Sequence, residues 1–196
     1  TDTVPKPAPV VIASFPGPGH NERSYPYAVR NADGKWDSAP LIGLKKNQDE
    51  PVPLDAGTEL KIDSAPIELT NGAVLNGDCV LSIDKDLTIK LIEDDFWLDS
   101  TGSDAHVGVQ YEQLTADCTG AAAVFEADGR KLRIRCAVGS VRCGDEVIKA
   151  GEQASLSERG VSGLRPWEGR HKLRDSAPSH TLLEVAFENE PANGLI

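Results

Sequence analysis

The sequence contains no methionine, few aromatic residues and no long apolar run. Phe, Trp and Tyr make up 5% of the 196 residues, which leaves few side chains to stack against a sugar. The longest apolar runs, Val10 to Phe15 and Leu182 to Phe187, are strand-sized and far from the roughly 20 residues of a transmembrane helix. We therefore expect a chain that does not span the membrane. A start at Thr1 without an initiator methionine fits a mature exported chain or a trimmed fragment.

Motifs that carry chemistry are also missing. There is no nucleophile elbow, phosphate loop or dinucleotide fingerprint. The histidines are His20, His106, His171 and His180, and none lies near a cysteine in the sequence, which argues against a zinc site. His106 follows Asp104 and could form a relay, although a lone loop histidine is usually solvated. We expect no catalytic residue and no cofactor, and a binding or scaffold role in place of an enzyme.

Charge is abundant but unevenly distributed. With 20 basic and 31 acidic residues the net charge is −11, so the chain repels phosphate backbones and nucleic acid is excluded as a partner. Residues 56–128 hold 3 basic and 15 acidic residues, whereas residues 129–196 hold 11 and 9. The acidic and basic parts could attract each other within the molecule or between copies; the alternative is a solubilising acidic surface.

The densest acidic segment is a candidate calcium site. Hard oxygen ligands in a loop can bind Ca²⁺, but the spacing does not match an EF-hand, and a solvated turn beside Phe96 and Trp97 is the preferred interpretation. The candidate ligands are Glu93, Asp94, Asp95, Asp99 and Asp104.

Four cysteines, Cys79, Cys118, Cys136 and Cys143, form no CxxC motif. A two-residue hairpin centred on Gly139-Ser140 would place Cys136 opposite Cys143, close enough for a disulfide. Cys79 and Cys118 would then form the second bridge. Buried thiols are the alternative, and the preference for disulfides depends on the inferred export.

The chain divides into three segments that differ in composition and in expected structure. Residues 1–55 are a proline-rich arm followed by an irregular lead-in, in which an apolar strand around residues 8–15 interrupts the prolines. This strand could be an ordinary first strand, or could add to the sheet of its own chain or of a neighbour. Its candidate interaction residues are Val10, Val11, Ile12 and Phe15.

Residues 56–160 alternate short strands with Gly, Asn and Asp turns, and residues 161–196 form a tail with one strand, Thr181 to Glu188. Many short strands at regular spacing predict an all-β sandwich, barrel or solenoid. The expected strands are 59–62, 67–69, 73–75, 79–83, 87–92, 96–98, 107–113, 116–118, 122–126, 132–137, 141–142, 146–148 and 153–156.

The amino-acid sequence of residues 56–160 resembles that of the extracytoplasmic domain of the FecR family of iron-uptake signalling regulators. The stretch 136–143 is similar to the family's Gly-x-Val step, and 147–154 to its Ala-Gly-Glu step. Two further stretches, 67–75 and 114–121, are similar to earlier steps. Structural turn positions implied by the resemblance are Gly72, Gly120, Gly139, Gly151 and Glu152.

The resemblance implies a twisted β-solenoid or β-roll, with a two-sheet sandwich as the alternative. It also implies a non-enzymatic, extracytoplasmic sensor or signalling domain in the cell envelope that binds another protein. A structural subunit of an extracellular or envelope assembly, joined through its arms as a homo-oligomer, is the second hypothesis. A Ca²⁺-dependent binder or glycan-active enzyme is the third.

Overall fold

The structure is a computed structural model that describes residues 9–14, 27–38, 52–63, 67–103 and 106–167. Within these ranges the chain forms sixteen strands and no helix. The strands are β1 (Pro9–Ser14), β2 (Tyr27–Arg30), β3 (Trp36–Ser38), β4 (Val52–Asp55), β5 (Glu59–Asp63), β6 (Ile67–Leu69), β7 (Val74–Ile83), β8 (Ile89–Asp99), β9 (Gly108–Tyr111), β10 (Leu114–Asp117), β11 (Ala122–Asp128), β12 (Lys131–Val138), β13 (Ser140–Cys143), β14 (Glu146–Lys149), β15 (Glu152–Ser157) and β16 (Gly160–Pro166).

A long hairpin of β7 and β8 organises the fold. One end of β7 pairs with β6 and its other end with β5. In the same way, β8 pairs with β11 at its end and with β9 at its start. The hairpin therefore belongs to both halves of a bent sheet, and the two halves enclose one core.

The core consists of side chains at alternate strand positions, as the period of two requires. Phe96 and Phe125 lie at its centre, fully buried, with ring centroids 5.6 Å apart. Leu132, Ile134 and Cys136 point into the same core from β12. The alternation on β12 ends before Val138, which packs on the opposite face after a register shift.

A second, smaller apolar cluster covers the outer face of β11 and β12. Trp167 packs there on Ala122, Val124 and Ala137, and its ring centroid lies 6.2 Å from that of Trp97. The backbone N–H of Trp167 donates to the carbonyl of Gly151 at 2.7 Å. The end of the described chain is therefore fastened to the sheet and does not leave it at Pro166.

The pairing of the strands confirms the all-β prediction. Adjacent strands are antiparallel except β8 and β9, and the sheet does not close. This arrangement is sandwich-like and gives no specific support to a solenoid or roll. No helix in the described part of the chain is long and apolar enough to cross a membrane.

Several element bounds differ from the sequence expectations. The structure has one strand, β7, where two were expected at 73–75 and 79–83. It likewise has one strand, β8, where two were expected at 87–92 and 96–98. A bulge bends the β7–β8 hairpin without ending either strand. Residues 21–55 contain β2, β3 and β4, where an irregular lead-in was expected, and β16 extends into the expected tail. The predicted strand Thr181 to Glu188 lies outside the described residues, as do Phe15 and Asp104.

The apolar segment of the arm forms β1 within this sheet. It pairs with β4 of its own chain, Val10 opposite Leu54, and with β6, Ile12 opposite Leu69. Backbone pairing on both edges makes β1 an interior strand of this chain.

Candidate functional site

A groove of about 420 Å³ crosses the outer face of the sheet where β3, β2, β5, β7 and β8 lie side by side. We call it the Trp36 groove. Its lining residues are Arg30, Trp36, Glu59, Lys61, Ile62, Asp63, Asp78, Cys79, Val80, Ile92, Glu93 and Asp94.

One wall of the groove is an aromatic side chain held in place by its cross-strand neighbour. Trp36 lies opposite Arg30 in the β2–β3 hairpin, and the Arg30 guanidinium stands 5.9 Å from the Trp36 ring centroid. Arg30 also donates to Glu59 at 2.7 Å. The ring remains 39% exposed, so the cation orders Trp36 without covering it.

The opposite wall is made by a β-bulge. Leu81 pairs with Leu91 and Val80 with Glu93, which leaves Ile92 as an extra residue in β8. Asp94, just beyond, has φ of 65°, a left-handed conformation that Asp tolerates better than most residues. The bulge leaves Ile92 37% exposed beside the groove.

Carboxylates line up across the sheet next to these walls. In the strand register Asp63 lies opposite Asp78, Asp78 opposite Asp95, and Asp95 opposite Glu126. We call these four residues the acidic row. Like charges directly opposite each other are destabilising. The neighbouring strand neutralises the far end of the row, where Arg133 and Arg135 both bind Glu126.

The pKa of Asp95, in the middle of the acidic row, reflects the carboxylates around it. Burial raises the pKa of Asp95, and the carboxylates of Glu126, Asp94 and Asp78 raise it further against the opposing effect of Arg135. At the groove end, no cation of the described residues forms an ion pair with Asp63, Glu93 or Asp94. Arg30 acts on Glu93 only from beyond ion-pair distance, and carboxylates outnumber cations in the described lining of the groove.

The candidate calcium ligands do not form a loop. Glu93, Asp94, Asp95 and Asp99 lie on strand β8, so both the loop site and the solvated turn are wrong for these four. Asp99 is buried and accepts hydrogen bonds from the backbone N–H and hydroxyl of Thr101. No cluster among the described residues has the arrangement of a metal site.

His106 lies in a second, shallower groove of about 350 Å³ and faces Asp117. Its Nδ1 is 3.6 Å from Asp117 Oδ1 and 3.4 Å from Thr119 Oγ1, and the side chain is 65% exposed. Thr119 donates its hydroxyl to Asp117 at 2.6 Å and its backbone N–H at 2.9 Å. Burial acts to raise the pKa of Asp117, but these hydrogen bonds and His106 outweigh it and lower the pKa. The carboxylate orders the turn and does not orient the imidazole as a relay would.

The expected cysteine hairpin is wrong. β12 pairs with β11 and β15, whereas β13 pairs with β14 and β10, so Cys136 and Cys143 are not cross-strand partners. Gly139, with φ of 68°, turns the chain through a corner between the two strands. Cys118 interacts electrostatically with Cys136, while Cys79 is surrounded by aspartates. No disulfide joins the four cysteines.

Burial lowers the reactivity that we expect of Cys79, Cys118 and Cys143. It raises the pKa of Cys79 and of Cys143 to about 12 and also raises that of Cys118. The thiolate is the reacting species, so we expect alkylation by iodoacetamide at pH 8 to be at least about tenfold slower in the native than in the urea-unfolded protein. Four thiols should react after unfolding. Equal rates in the two states, or fewer than four thiols, would contradict the structure.

The five turn positions implied by the resemblance sit at changes of chain direction. Gly72, Gly120, Gly139 and Gly151 all have φ between 68° and 83°. The Glu152 carboxylate accepts the backbone N–H of Lys149 at 2.8 Å, which closes the turn before β15. The Gly151 N–H donates to the carbonyl of Cys136 at 2.9 Å. These residues shape the scaffold and do not line the Trp36 groove.

Of the residues that line the groove, sequence reasoning singled out Cys79, Glu93 and Asp94, each for another role, and it missed Trp36 and Ile92. Trp36 lies in the segment that was expected to be an irregular lead-in, so the two strands of its hairpin were not predicted. Ile92 had a detectable signal. Inward positions along β8 are odd-numbered at Ile89 and Leu91 and even-numbered at Phe96 and Leu98, and such a change of phase requires an extra residue.

No protein-family model matches the chain, and no curated protein matches it. Two crystal structures of a candidate anti-sigma factor from Parabacteroides distasonis ATCC 8503, at 1.65 Å and 2.50 Å resolution, are similar to part of it. Each shares 14% sequence identity with a TM-score of 0.44, over 55% and 56% of this chain and 57% and 58% of those chains. The chain thus matches less than two thirds of the neighbours' length, and a similarity of this size assigns neither family nor function.

Proposed function

We propose that this chain is a non-enzymatic, extracytoplasmic protein-binding domain of the FecR type, with a sensor or signalling role in the cell envelope. Its partner docks in the Trp36 groove. The observation that carries the proposal is the pairing of two exposed large apolar side chains, Trp36 and Ile92, on opposite walls of one groove. Exposed aromatic and aliphatic side chains at one concave place are typical of protein interfaces.

The sequence resemblance supports the choice of family and of compartment. The four sequence stretches that are similar to the family coincide with tight turns of the sheet at Gly72, Gly120, Gly139 and Gly151. The proposed extracytoplasmic location depends on the resemblance. A twisted β-roll of the FecR kind remains part of this proposal.

The alternative, a structural subunit joined through its arms, loses one of its arguments. β1 pairs with β4 and β6 of its own chain, so this part of the arm already has its partners. A signalling domain should be monomeric, and a subunit should assemble. Light scattering coupled to size exclusion distinguishes the two, and a defined oligomer at micromolar concentration would favour the subunit.

A photocrosslinking experiment tests the docking site. With p-benzoylphenylalanine at position 36 of the full chain, expressed in the cells that produce it, we expect one discrete crosslink to a second protein. Ile92→Ser should abolish this product, because it removes the opposite wall of the groove. The purified second protein should then bind the wild-type chain and bind the Ile92→Ser variant at least about tenfold more weakly, a loss of about 1.4 kcal/mol.

The matched control carries the same photoreactive residue at position 164. Leu164 is the most exposed large apolar residue in the described ranges and lies on β16, away from the groove. The same product from both positions, or none from position 36, would overturn the docking site. Circular dichroism of each variant shows whether the fold is intact.

A further inference from the structure

The Trp36 groove carries an excess of negative charge. Five carboxylates and two cations line it. Arg30 forms an ion pair with Glu59 at 2.7 Å and also interacts electrostatically with Glu93, and Lys61 is the second cation of the lining. The lining of the groove, as far as the structure describes it, is therefore net acidic.

The position of these carboxylates adds to their mutual repulsion. Asp63 and Asp78 are directly opposite each other on β5 and β7, and Glu93 and Asp94 follow one another at the bulge of β8. Like charges directly opposite each other, as Asp63 and Asp78 are, cost stability. A cation bound there would recover that energy, which a neutral or acidic ligand could not do.

The apolar walls complement this charge. Lys and Arg side chains place their methylene stems on apolar surface while their charged ends reach carboxylates or water. Trp36 and Ile92 offer that surface within the same groove as Asp63, Glu93 and Asp94. A basic side chain can therefore satisfy both parts of the site at once.

Building on the proposed function, we propose that the partner docks through a basic segment. Its Lys or Arg side chains bind Asp63, Glu93 and Asp94 and lay their stems against Ile92 and Trp36. Charge complementarity selects this occupant over an acidic or purely apolar one.

The experiment uses hexalysine as the probe and hexaglutamate as its counterpart. The ¹⁵N-labelled full chain is titrated, and the indole N–H signal of Trp36 is assigned with Trp36→Phe. We expect saturable shifts at Trp36 and Ile92 with hexalysine, none with hexaglutamate, and weaker binding at higher salt.

The test variant is Glu93→Gln/Asp94→Asn, in which Asn retains the left-handed conformation that position 94 requires. We expect it to weaken hexalysine binding about tenfold, from two lost ion pairs, while the melting temperature stays equal or rises. The control Asp145→Asn, on the exposed turn between β13 and β14, should change affinity less than about twofold.

Any one of four outcomes would overturn the inference. Shifts spread over the acidic surface without saturation would mean non-specific attraction, and an equal loss for Asp145→Asn would mean the same. Salt-sensitive dimerisation abolished by Glu93→Gln/Asp94→Asn would make a second copy the occupant, through its own basic residues 170–174.

If photocrosslinking finds a partner at position 36 whose docking segment lacks basic residues, this inference fails and the proposed function stands. If hexalysine binds as expected but photocrosslinking finds no partner, the proposed function fails and only the affinity of the groove for basic chains stands.

Discussion

Replacing Phe125 with alanine should lower the free energy of unfolding by about 3–5 kcal/mol, the usual cost of emptying a fully buried aromatic site. Phe125 has no exposed surface and stacks on Phe96 at 5.6 Å. β11, which carries it, is paired on both edges, with β8 and with β12. Because both neighbouring strands are held by their own ladders, they cannot collapse into the cavity. Urea denaturation followed by far-UV circular dichroism measures the change.

Two control variants show whether the loss of stability comes from the emptied core site. Phe125→Leu retains most of the volume and should cost about 1 kcal/mol, whereas Val147→Ala, at an exposed site of β14, should stay within about 0.5 kcal/mol. A loss below about 1 kcal/mol for Phe125→Ala would mean that Phe125 is not at the centre of the core.

Alternation was enough to predict most strands between residues 56 and 160, because each strand there has one face in the core. Leu132 and Ile134 with Arg133 between them illustrate this, since the two aliphatic residues are buried and the arginine forms ion pairs at the surface. The fold class follows from such local patterns. The order of the strands does not, because pairing partners such as β11 and β8 are far apart in sequence.

The cysteine hairpin shows where local reasoning fails. A Gly-Ser pair between two alternating stretches is compatible with a two-residue turn or with a corner. The outcome depends on a distant segment. Gly120 and Ala121 pack so tightly against Gly139 that a Cβ there would lie 2.7 Å from the Gly120 carbonyl oxygen. That contact directs β13 towards β10, with Asp117 opposite Arg142, and away from β12.

The groove could not be predicted for the same reason. Trp36, Asp63 and Ile92 come from three separate stretches, and only the register of β2, β5, β7 and β8 brings them together. The sequence did show that residues 56–128 are acidic. It could not show that Asp63, Asp78, Asp95 and Glu126 form one row, because this requires the pairing of four strands.

The close approach of β7 to β8 depends on one glycine, and Gly77→Ala should lower the free energy of unfolding by about 3 kcal/mol, the upper end of the cost of overpacking. Gly77 lies opposite Phe96 in the β7–β8 hairpin. A Cβ at this position would clash with the carbonyl oxygen of Asp95 and lie 2.7 Å from Phe96 Cα. The obstacles are backbone atoms of a strand paired on both edges, so no rotamer change can relieve the contact.

Gly120→Ala separates this contact from conformational strain. Gly120 has φ of 68° but nothing within 4 Å of an added Cβ, so alanine should cost about 1–2 kcal/mol there through the left-handed backbone alone. Gly77 lies outside the left-handed region, and its cost should come from the clash.

Because β8 must move away from β7 to admit the methyl group, Gly77→Ala should also displace Asp95 and the bulge at Ile92. The Trp36 indole signal of the folded variant should therefore respond less to hexalysine than that of Gly120→Ala. Equal stability of Gly77→Ala and the wild type would show that β7 and β8 do not approach each other as closely as described.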